Sequence, residues 1–194
     1  MTGGTIRDSR SSDPPQMPLF SRPAFDRVRI LEAADKARRR GRKRRAVRLY
    51  REVLAVEPRN PELHARLAPL LAATGQAFDA WRSYRAAIRH CVATKQLEAA
   101  TNLARSATRT LPRLVEPWEQ LARLEADRGN PETAVQELGR GRRAMRGRRR
   151  RPQAIFLLRM ALRIQPASTG STLALARLLA RTDQTAEALR LLED

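Results

Sequence analysis

The stretch that determines the fold of this chain is Trp118–Leu138, with the sequence WEQLARLEADRGNPETAVQEL. Its large apolar residues Trp118, Leu121 and Leu124 recur at helical spacing, and a Gly-Asn pair at 129–130 interrupts the pattern. A second helical pattern follows, with Ala and Leu as its regularly spaced apolar residues. The stretch therefore predicts two helices joined by a tight turn.

The residues of this stretch recur along the chain with a period of 54. The clearest column is formed by three prolines: Pro58, Pro112 and Pro166. Leucines and small residues follow the same step: Leu67, Leu121 and Leu175; Ala68, Ala122 and Ala176; Ala80, Ala134 and Ala188. Gly129 is matched by Gly75, with Asp183 in the third copy, where we expect it to cap the last helix. A fixed period of this size is typical of a stacked-repeat protein.

Prolines and Gly-containing turns divide the residues from 25 onward into ten predicted helices. Good helix formers dominate this region, and β-branched residues never alternate over the length of a strand. The predicted helices are 25–40, 43–57, 61–74, 77–93, 96–110, 115–128, 131–145, 152–164, 170–181 and 184–193. We therefore expect an all-α fold of about ten antiparallel helices joined by short connections.

The pattern around Trp118 resembles the tetratricopeptide repeat (TPR), which has a large residue, a Leu and a small residue in its first helix. Similar fits occur at 27–58, 61–92 and 170–192. The resemblance implies a right-handed antiparallel helical-hairpin solenoid, TPR-like, over residues 25–194. The step in this family is 34 residues, whereas steps of 34 and 20 alternate here. Each unit is thus predicted to be a hairpin plus one helix, and a three-helix repeat of another α-solenoid type is the alternative.

Composition indicates an anionic partner. The chain has 39 Lys and Arg against 20 Asp and Glu, a net charge of +19. Such a surplus predicts affinity for an acidic protein, nucleic acid or an anionic membrane surface. The Ala- and Arg-rich composition is typical of a GC-rich bacterium, and the single Cys91 fits a reducing compartment, so we expect a cytoplasmic protein. No stretch is apolar enough to span a membrane, and residues 1–24 are expected to be a disordered basic tail, rich in Pro and Ser, without a signal peptide.

Two arginine clusters are candidate sites for a polyanion, because guanidinium groups suit phosphate. The first comprises Arg38, Arg39, Arg40, Arg42, Arg44 and Arg45, and the second Arg146, Arg148, Arg149, Arg150 and Arg151. Gly41, Lys95 and Arg149 are 54 apart, so we expect both clusters on one edge of the solenoid, on either side of a quieter turn at Lys95. The alternative is that both are solvated turns. Arg51, Arg105 and Arg159 form a further column at the same step.

The TPR resemblance implies a concave groove lined by the first helix of each hairpin. It nominates Glu62, Glu116, Glu119, Arg123 and Arg177 as partner-binding residues. The implied function is a non-enzymatic adaptor or scaffold that binds a protein partner, with an acidic segment favoured by the net charge. Nucleic-acid or other polyanion binding through the arginine clusters is the alternative.

Catalysis finds little support in the sequence. His90 adjoins Cys91, but adjacent residues of a helix point in different directions, so no dyad is expected. Neither a phosphate-binding glycine loop nor a metal-ligand motif is present, so we predict no catalytic residue, cofactor or metal. No polar capping helix follows the last predicted helix, so self-association through that helix is a further hypothesis.

Overall fold

The computed structural model describes residues 25–193, and every regular element in that range is helical. The ten α-helices are α1 (Arg27–Arg39), α2 (Lys43–Val56), α3 (Pro61–Ala73), α4 (Ala77–Ala93), α5 (Leu97–Thr110), α6 (Glu116–Asp127), α7 (Pro131–Ala144), α8 (Arg151–Ile164), α9 (Thr169–Ala180) and α10 (Thr185–Glu193). A 3-10 turn at Arg148–Arg150 precedes α8. The predicted all-α fold is confirmed, and each helix end lies within two residues of its prediction. The predicted tail at 1–24 lies outside the described residues.

Helix starts follow the 54-residue period. The helices α2, α5 and α8 begin at Lys43, Leu97 and Arg151, each one period after the last. The same step separates the starts of α4, α7 and α10 and, within one residue, those of α3, α6 and α9. The structural unit is therefore three helices long, as the alternating steps of 34 and 20 residues implied.

The turns between these helices use left-handed backbone, which explains the glycine column. Gly75 and Gly129 have φ angles of 82° and 80°, a region that residues without a Cβ occupy freely. Lys95 and Asp183 take up the same conformation with φ of 59°. The expected capping role of Asp183 is therefore wrong: it occupies the left-handed turn position, and α10 begins two residues later.

Close packing of helices depends on the small residues of the repeat. Ala46, Ala80, Ala100 and Ala134 are all fully buried. An alanine at these positions lets neighbouring helices approach without a gap, since its side chain is a single methyl group. The small-residue columns seen in the sequence are thus the interior contacts of the stack.

The turns that contain the repeat prolines are fixed by a hydrogen bond between the proline carbonyl and the side chain six residues later. His64 Nε2 lies 3.0 Å from the carbonyl oxygen of Pro58 in a hydrogen bond. At the equivalent position one unit later, Trp118 Nε1 donates to the carbonyl of Pro112 at 3.1 Å. Different side chains therefore fix the same turn in two successive units.

The helices form two layers. Arg150 Nη1 donates to the carbonyl of Arg113 at 2.9 Å, and Arg151 Nη1 donates to that of Arg181 at 2.8 Å. These bonds join the α5–α6, α7–α8 and α9–α10 turns along one edge, so consecutive helices are antiparallel. Helices two apart are neighbours, as in the α3–α5 and α6–α8 contacts. Odd-numbered helices therefore form one layer and even-numbered helices the other.

A unit of three helices has a consequence for equivalent positions. Because three is odd, a helix and its equivalent in the next unit, such as α3 and α6, lie in opposite layers. Equivalent residues return to the same layer only after two units. Within residues 25–193, no helix has the length and apolar character needed to cross a bilayer.

Candidate functional site

Among residues 25–193, grooves lie between helices that are two apart in the chain. The α2–α4 groove has a volume of about 670 Å³, the α7–α9 groove about 400 Å³ and the α8–α10 groove about 990 Å³. The first and last lie between even-numbered helices, and the α7–α9 groove lies between odd-numbered ones. Both faces of the stack therefore offer concave surface.

The α2–α4 and α8–α10 grooves are the same structural site repeated two units apart. Arg51 Nη2 contacts Asp79 Oδ2 at 2.7 Å in the first groove. In the second, Arg159 Nη2 contacts Glu187 Oε1 at the same distance. Both acidic residues lie 28 positions after their arginine, so the ion pair itself recurs with the repeat.

The middle arginine of this column is also paired. Arg105 Nη2 donates to Glu125 Oε1 at 2.7 Å, and the Glu125 side chain is buried. The position of α7 equivalent to Asp79 is Thr133, which has no carboxylate, so Arg105 bonds to α6 instead. The arginine column at 51, 105 and 159 is therefore engaged in bonds within the stack.

The two equivalent grooves have different linings. Arg82, Arg85 and Arg89 follow one face of α4 in the first groove. Apolar residues such as Ile155 and Phe156 predominate in the second, which also contains Arg163 and the Arg159–Glu187 pair. One structural site thus has three additional arginines from α4 in one place and a predominantly apolar lining in the other.

The α7–α9 groove combines three arginines with an apolar floor. Arg142 of α7 faces Arg177 of α9 and Arg181, the residue directly after α9, across the groove, and Leu173, Ala174 and Leu178 complete the lining with Gly170. No carboxylate lines this groove, and none of the three arginines makes an ion pair within residues 25–193. Three uncompensated guanidinium groups at one concave surface give it a strongly positive potential.

The five partner-binding residues nominated from the sequence do not line one groove. Glu62 on α3 and Arg177 on α9 belong to the odd-numbered layer, whereas Glu116, Glu119 and Arg123 are on α6 in the even-numbered layer. That nomination took from the TPR resemblance that the first helix of every hairpin lines the same groove. The three-helix unit reverses the layer of each successive first helix.

Three of these residues, Glu62, Glu119 and Arg123, are also paired locally. Glu62 forms an ion pair with Arg66 at 2.5 Å, and Glu119 forms one with Arg123 at the same distance. Both are surface pairs within one helix, of a kind that contributes little to stability. Of the nominated set, Arg177 is thus the residue that the structure places in a basic groove.

Sequence reasoning missed Arg142 and Arg181. The spacing of Arg177 and Arg181 by four residues does indicate a shared helix face and was available as a signal. Arg142 is in another helix, at a position of the repeat that is not equivalent to Arg177 or Arg181. Its proximity to these two arginines therefore depends on how α7 packs beside α9.

The first arginine cluster is exposed throughout. Arg38 bonds to Asp35 at 3.3 Å. The remaining members are exposed and make no ion pair among the described residues: Arg39, Arg40, Arg42, Arg44 and Arg45. Lys43, between them, is likewise exposed.

Asp35 is fully engaged in bonds beneath this cluster. It accepts from the Tyr50 hydroxyl at 2.6 Å and from Arg66 Nη1 at 3.0 Å. Burial alone raises the pKa of Asp35, but the Tyr50 hydrogen bond and the charges of Arg66 and Arg38 outweigh it and hold the pKa below its usual value. Asp35 is therefore a charged structural residue, and it does not neutralise the cluster beyond Arg38.

The second arginine cluster is partly structural. Arg150 and Arg151 are half-buried and donate to the carbonyls of neighbouring turns, as described above. Arg146 Nε donates to the carbonyl of Arg143 at 3.2 Å, while Arg148 and Arg149 are exposed. Two clusters of similar sequence thus have different environments.

Both clusters lie at turns of the same edge, because each follows an odd-numbered helix. The turn at Lys95 follows α4 and lies on the opposite edge, so the expectation that it separates the clusters is wrong. Because each unit has an odd number of helices, equivalent turns one period apart lie on opposite edges of the stack.

The histidines and the cysteine do not assemble into a reactive group. His64 bonds to the Pro58 carbonyl, His90 is exposed and Cys91 is buried. Within residues 25–193, no group of three or more His, Cys, Asp and Glu side chains is arranged to hold a metal ion.

Comparison with known proteins gives structural neighbours only. No family model matches the chain, and no curated protein matches it. Similar solved structures include MamA, at 15% identity and a TM-score of 0.35, covering 86% of this chain and 88% of that one. A putative kinesin light chain of Podosopora anserina with nearly identical TPR-like repeats has 21% identity and a TM-score of 0.38, covering 87% and 94%.

A tetratricopeptide repeat protein from Parabacteroides merdae has 16% identity and a TM-score of 0.33, covering 86% of this chain and 77% of that one. The fold is TPR-like. The predicted resemblance is confirmed at this level by helical hairpins with left-handed turns and buried alanines.

Proposed function

We propose that this chain is a non-catalytic helical-repeat scaffold that binds an acidic segment of a protein partner. The observation that carries the proposal is the α7–α9 groove, where Arg142, Arg177 and Arg181 surround an apolar floor without a carboxylate. Helical-repeat stacks commonly offer such extended surfaces to partners.

The chemistry of the groove suits a peptide with both acidic and apolar side chains. Guanidinium groups form paired hydrogen bonds with carboxylates, and desolvated arginines are frequent anchors of protein interfaces. Leu173 is 47% exposed at the floor, which supplies apolar area for a partner to bury. An acidic peptide with one apolar residue would satisfy both parts of the lining.

The spacing of the arginines favours carboxylates at alternate positions of an extended peptide. Arg181 caps the C-terminal end of α9 four residues after Arg177, which corresponds to a rise of about 6 Å along the helix axis. Alternate residues of an extended strand are about 6.6 Å apart and point to the same side. We therefore expect a Glu-x-Glu pattern to bind better than two adjacent glutamates.

The test is a titration of labelled peptides by fluorescence anisotropy. A peptide with Glu-x-Glu next to a leucine is compared with a version in which both glutamates are glutamine. We expect the Arg142→Gln/Arg177→Gln variant to bind the acidic peptide at least tenfold more weakly, since a charge-assisted hydrogen bond contributes about 1.5–3 kcal/mol.

The matched control is Arg123→Gln, which changes the equivalent arginine one unit away in the opposite layer. It should leave the affinity unchanged. Equal losses in the control and the groove variant, or no discrimination between the acidic and the glutamine peptide, would refute the proposal for this groove.

A further inference from the structure

We propose that the first arginine cluster is a separate site that binds the phosphate backbone of double-stranded nucleic acid. The site comprises the cluster without Arg38, which is paired with Asp35, and adds Lys43 and Arg48, so that it spans the α1–α2 turn and the first two turns of α2, residues 39 to 48. It is distinct from the α7–α9 groove and does not depend on the function proposed for that groove.

The charge of this surface is uncompensated. Seven basic side chains are exposed there: Arg39, Arg40, Arg42, Lys43, Arg44, Arg45 and Arg48. None of them makes an ion pair within residues 25–193. Of the carboxylates that flank this segment, Asp35 is bonded to Tyr50, Arg66 and Arg38, and Glu52, four residues after Arg48 on α2, forms no ion pair within residues 25–193.

The shape of the site favours phosphate over a protein segment. The shallow cleft beside the turn is lined by Arg42, Lys43 and Arg44 with Gly41, Ala73 and Thr74, and it has no large apolar or aromatic side chain. Protein interfaces take most of their energy from buried anchors of that kind. Phosphate contacts require only positive charge and hydrogen-bond donors, which this surface has in excess.

The same composition favours a duplex over a single strand. Binding of single strands relies on bases that stack on aromatic rings. Residues 38–48 contain no aromatic residue. A duplex presents its phosphates outward, so that exposed guanidinium groups can reach them without stacking.

The second cluster provides an internal contrast. Arg150 and Arg151 donate to backbone carbonyls of adjacent turns, so two of its side chains are already committed. Neutralising the first cluster should therefore remove binding without affecting the fold. Neutralising Arg150 and Arg151 should affect stability more than binding.

The experiment measures anisotropy of a labelled 20-base-pair DNA and a labelled RNA hairpin against the full chain from 50 to 200 mM salt. With about six phosphate contacts, we expect the affinity to fall about 10³-fold over this range. In the Arg40→Gln/Arg42→Gln/Arg44→Gln/Arg45→Gln variant, the slope of log affinity against log salt should decrease by about 0.9 for each DNA phosphate that the variant no longer neutralises.

Three controls accompany the titration: the helix content of the four-glutamine variant, the nucleic-acid affinity of the α7–α9 groove variant, and binding to vesicles with anionic lipid. Circular dichroism should show that the four-glutamine variant keeps its helix content and melting temperature, and Arg142→Gln/Arg177→Gln should keep its nucleic-acid affinity. The proposal is overturned if the wild-type chain does not bind, if the four-glutamine variant keeps the full salt slope, or if vesicles with anionic lipid bind more tightly than both nucleic acids. Loss of nucleic-acid binding in the α7–α9 variant would equally overturn it.

Discussion

The indole ring of Trp118 lies against the backbone of Gly141, so closely that a methyl group at this glycine would be 2.7 Å from Trp118 Cγ. One unit earlier, the equivalent positions hold His64 and Ala87. The larger ring, of Trp118, thus faces a glycine, whereas the smaller ring, of His64, occurs together with an alanine. A glycine in the interior of α7, costly in a helix, is thus explained by the ring packed on it.

We expect Gly141→Ala to destabilise the protein despite the higher helix propensity of alanine. The added methyl group would clash with Trp118 and Leu157, and overpacking of this kind costs about 1–3 kcal/mol. Gly139→Ala in the same helix is the control, since its methyl group would meet only Arg143 Nη1 at 3.9 Å. That variant should gain up to about 1 kcal/mol. Chemical denaturation of both variants measures the difference, and a stabilised Gly141→Ala would contradict the account.

The clash predicts a specific coupling between the two positions. Trp118→His should reduce the cost of Gly141→Ala, because it recreates the His64 and Ala87 pair of the preceding unit. A double-mutant cycle measures this coupling, which for residues in contact is about 0.5–3 kcal/mol. Additive effects of the two substitutions would show that the ring is not the cause.

Arg151→Met should weaken the α9–α10 turn. The substitution keeps much of the aliphatic length of the side chain and removes the donor to the Arg181 carbonyl, a bond of about 1 kcal/mol. Hydrogen exchange should accelerate in α9 and α10. Arg149→Met, two residues away and exposed, is expected to leave exchange unchanged.

Lys95→Gly should raise the free energy of unfolding. Lys95 is held at a φ of 59°, where a side chain is strained and glycine is not. The strain of about 1–2 kcal/mol is partly offset by the greater entropy of glycine in the unfolded chain. We expect a net gain of about 0.5–1 kcal/mol by denaturation, and Gly75→Ala in the equivalent conformation should give a loss.

Asp35 makes part of the stability depend on acid pH. Its pKa in the folded state is below that in the unfolded chain, so its contribution is fully present above the unfolded pKa of about 3.9 and is lost as pH falls through the folded pKa. Asp35→Asn should therefore be less stable at neutral pH and lose less stability on acidification. Parallel curves for the variant and the wild type between pH 5 and 2 would contradict this role.

Tyr50→Phe tests the role of the Asp35 carboxylate by removing its uncharged hydrogen-bond donor. Tyr50 is fully buried and donates to Asp35 Oδ1, so Tyr50→Phe leaves the half-buried Asp35 carboxylate short of one donor. We expect a loss of about 1 kcal/mol at neutral pH. The acid decline should begin at a higher pH than in the wild type, because the Tyr50 bond helps to hold the pKa of Asp35 down.

The helices could be predicted from sequence because their ends are marked by residues with backbone requirements. Prolines such as Pro131 suit a first turn, and Gly75 and Gly129 supply left-handed turns. Asp183 did not follow this logic. Its side chain suggested a helix cap, but Asp183 has the left-handed backbone conformation of the equivalent Gly75 and Gly129.

The candidate sites could be predicted less well, because they depend on which helices lie side by side. Arg142 and Arg177 face each other across a groove, although α7 and α9 are not equivalent helices of the repeat. The two arginine clusters look alike in sequence, yet Arg151 bonds to a carbonyl that only the folded edge brings near. Such contacts arise from packing, and a one-dimensional pattern does not contain them.

The three-helix unit gives the molecule a parity. Inserting one unit of 54 residues would preserve every local helix contact and yet transfer all later grooves and turns to the opposite side of the stack. Inserting two units would restore them. The number of units, counted as odd or even, thus decides whether two distant surfaces of such a chain can engage the same flat partner.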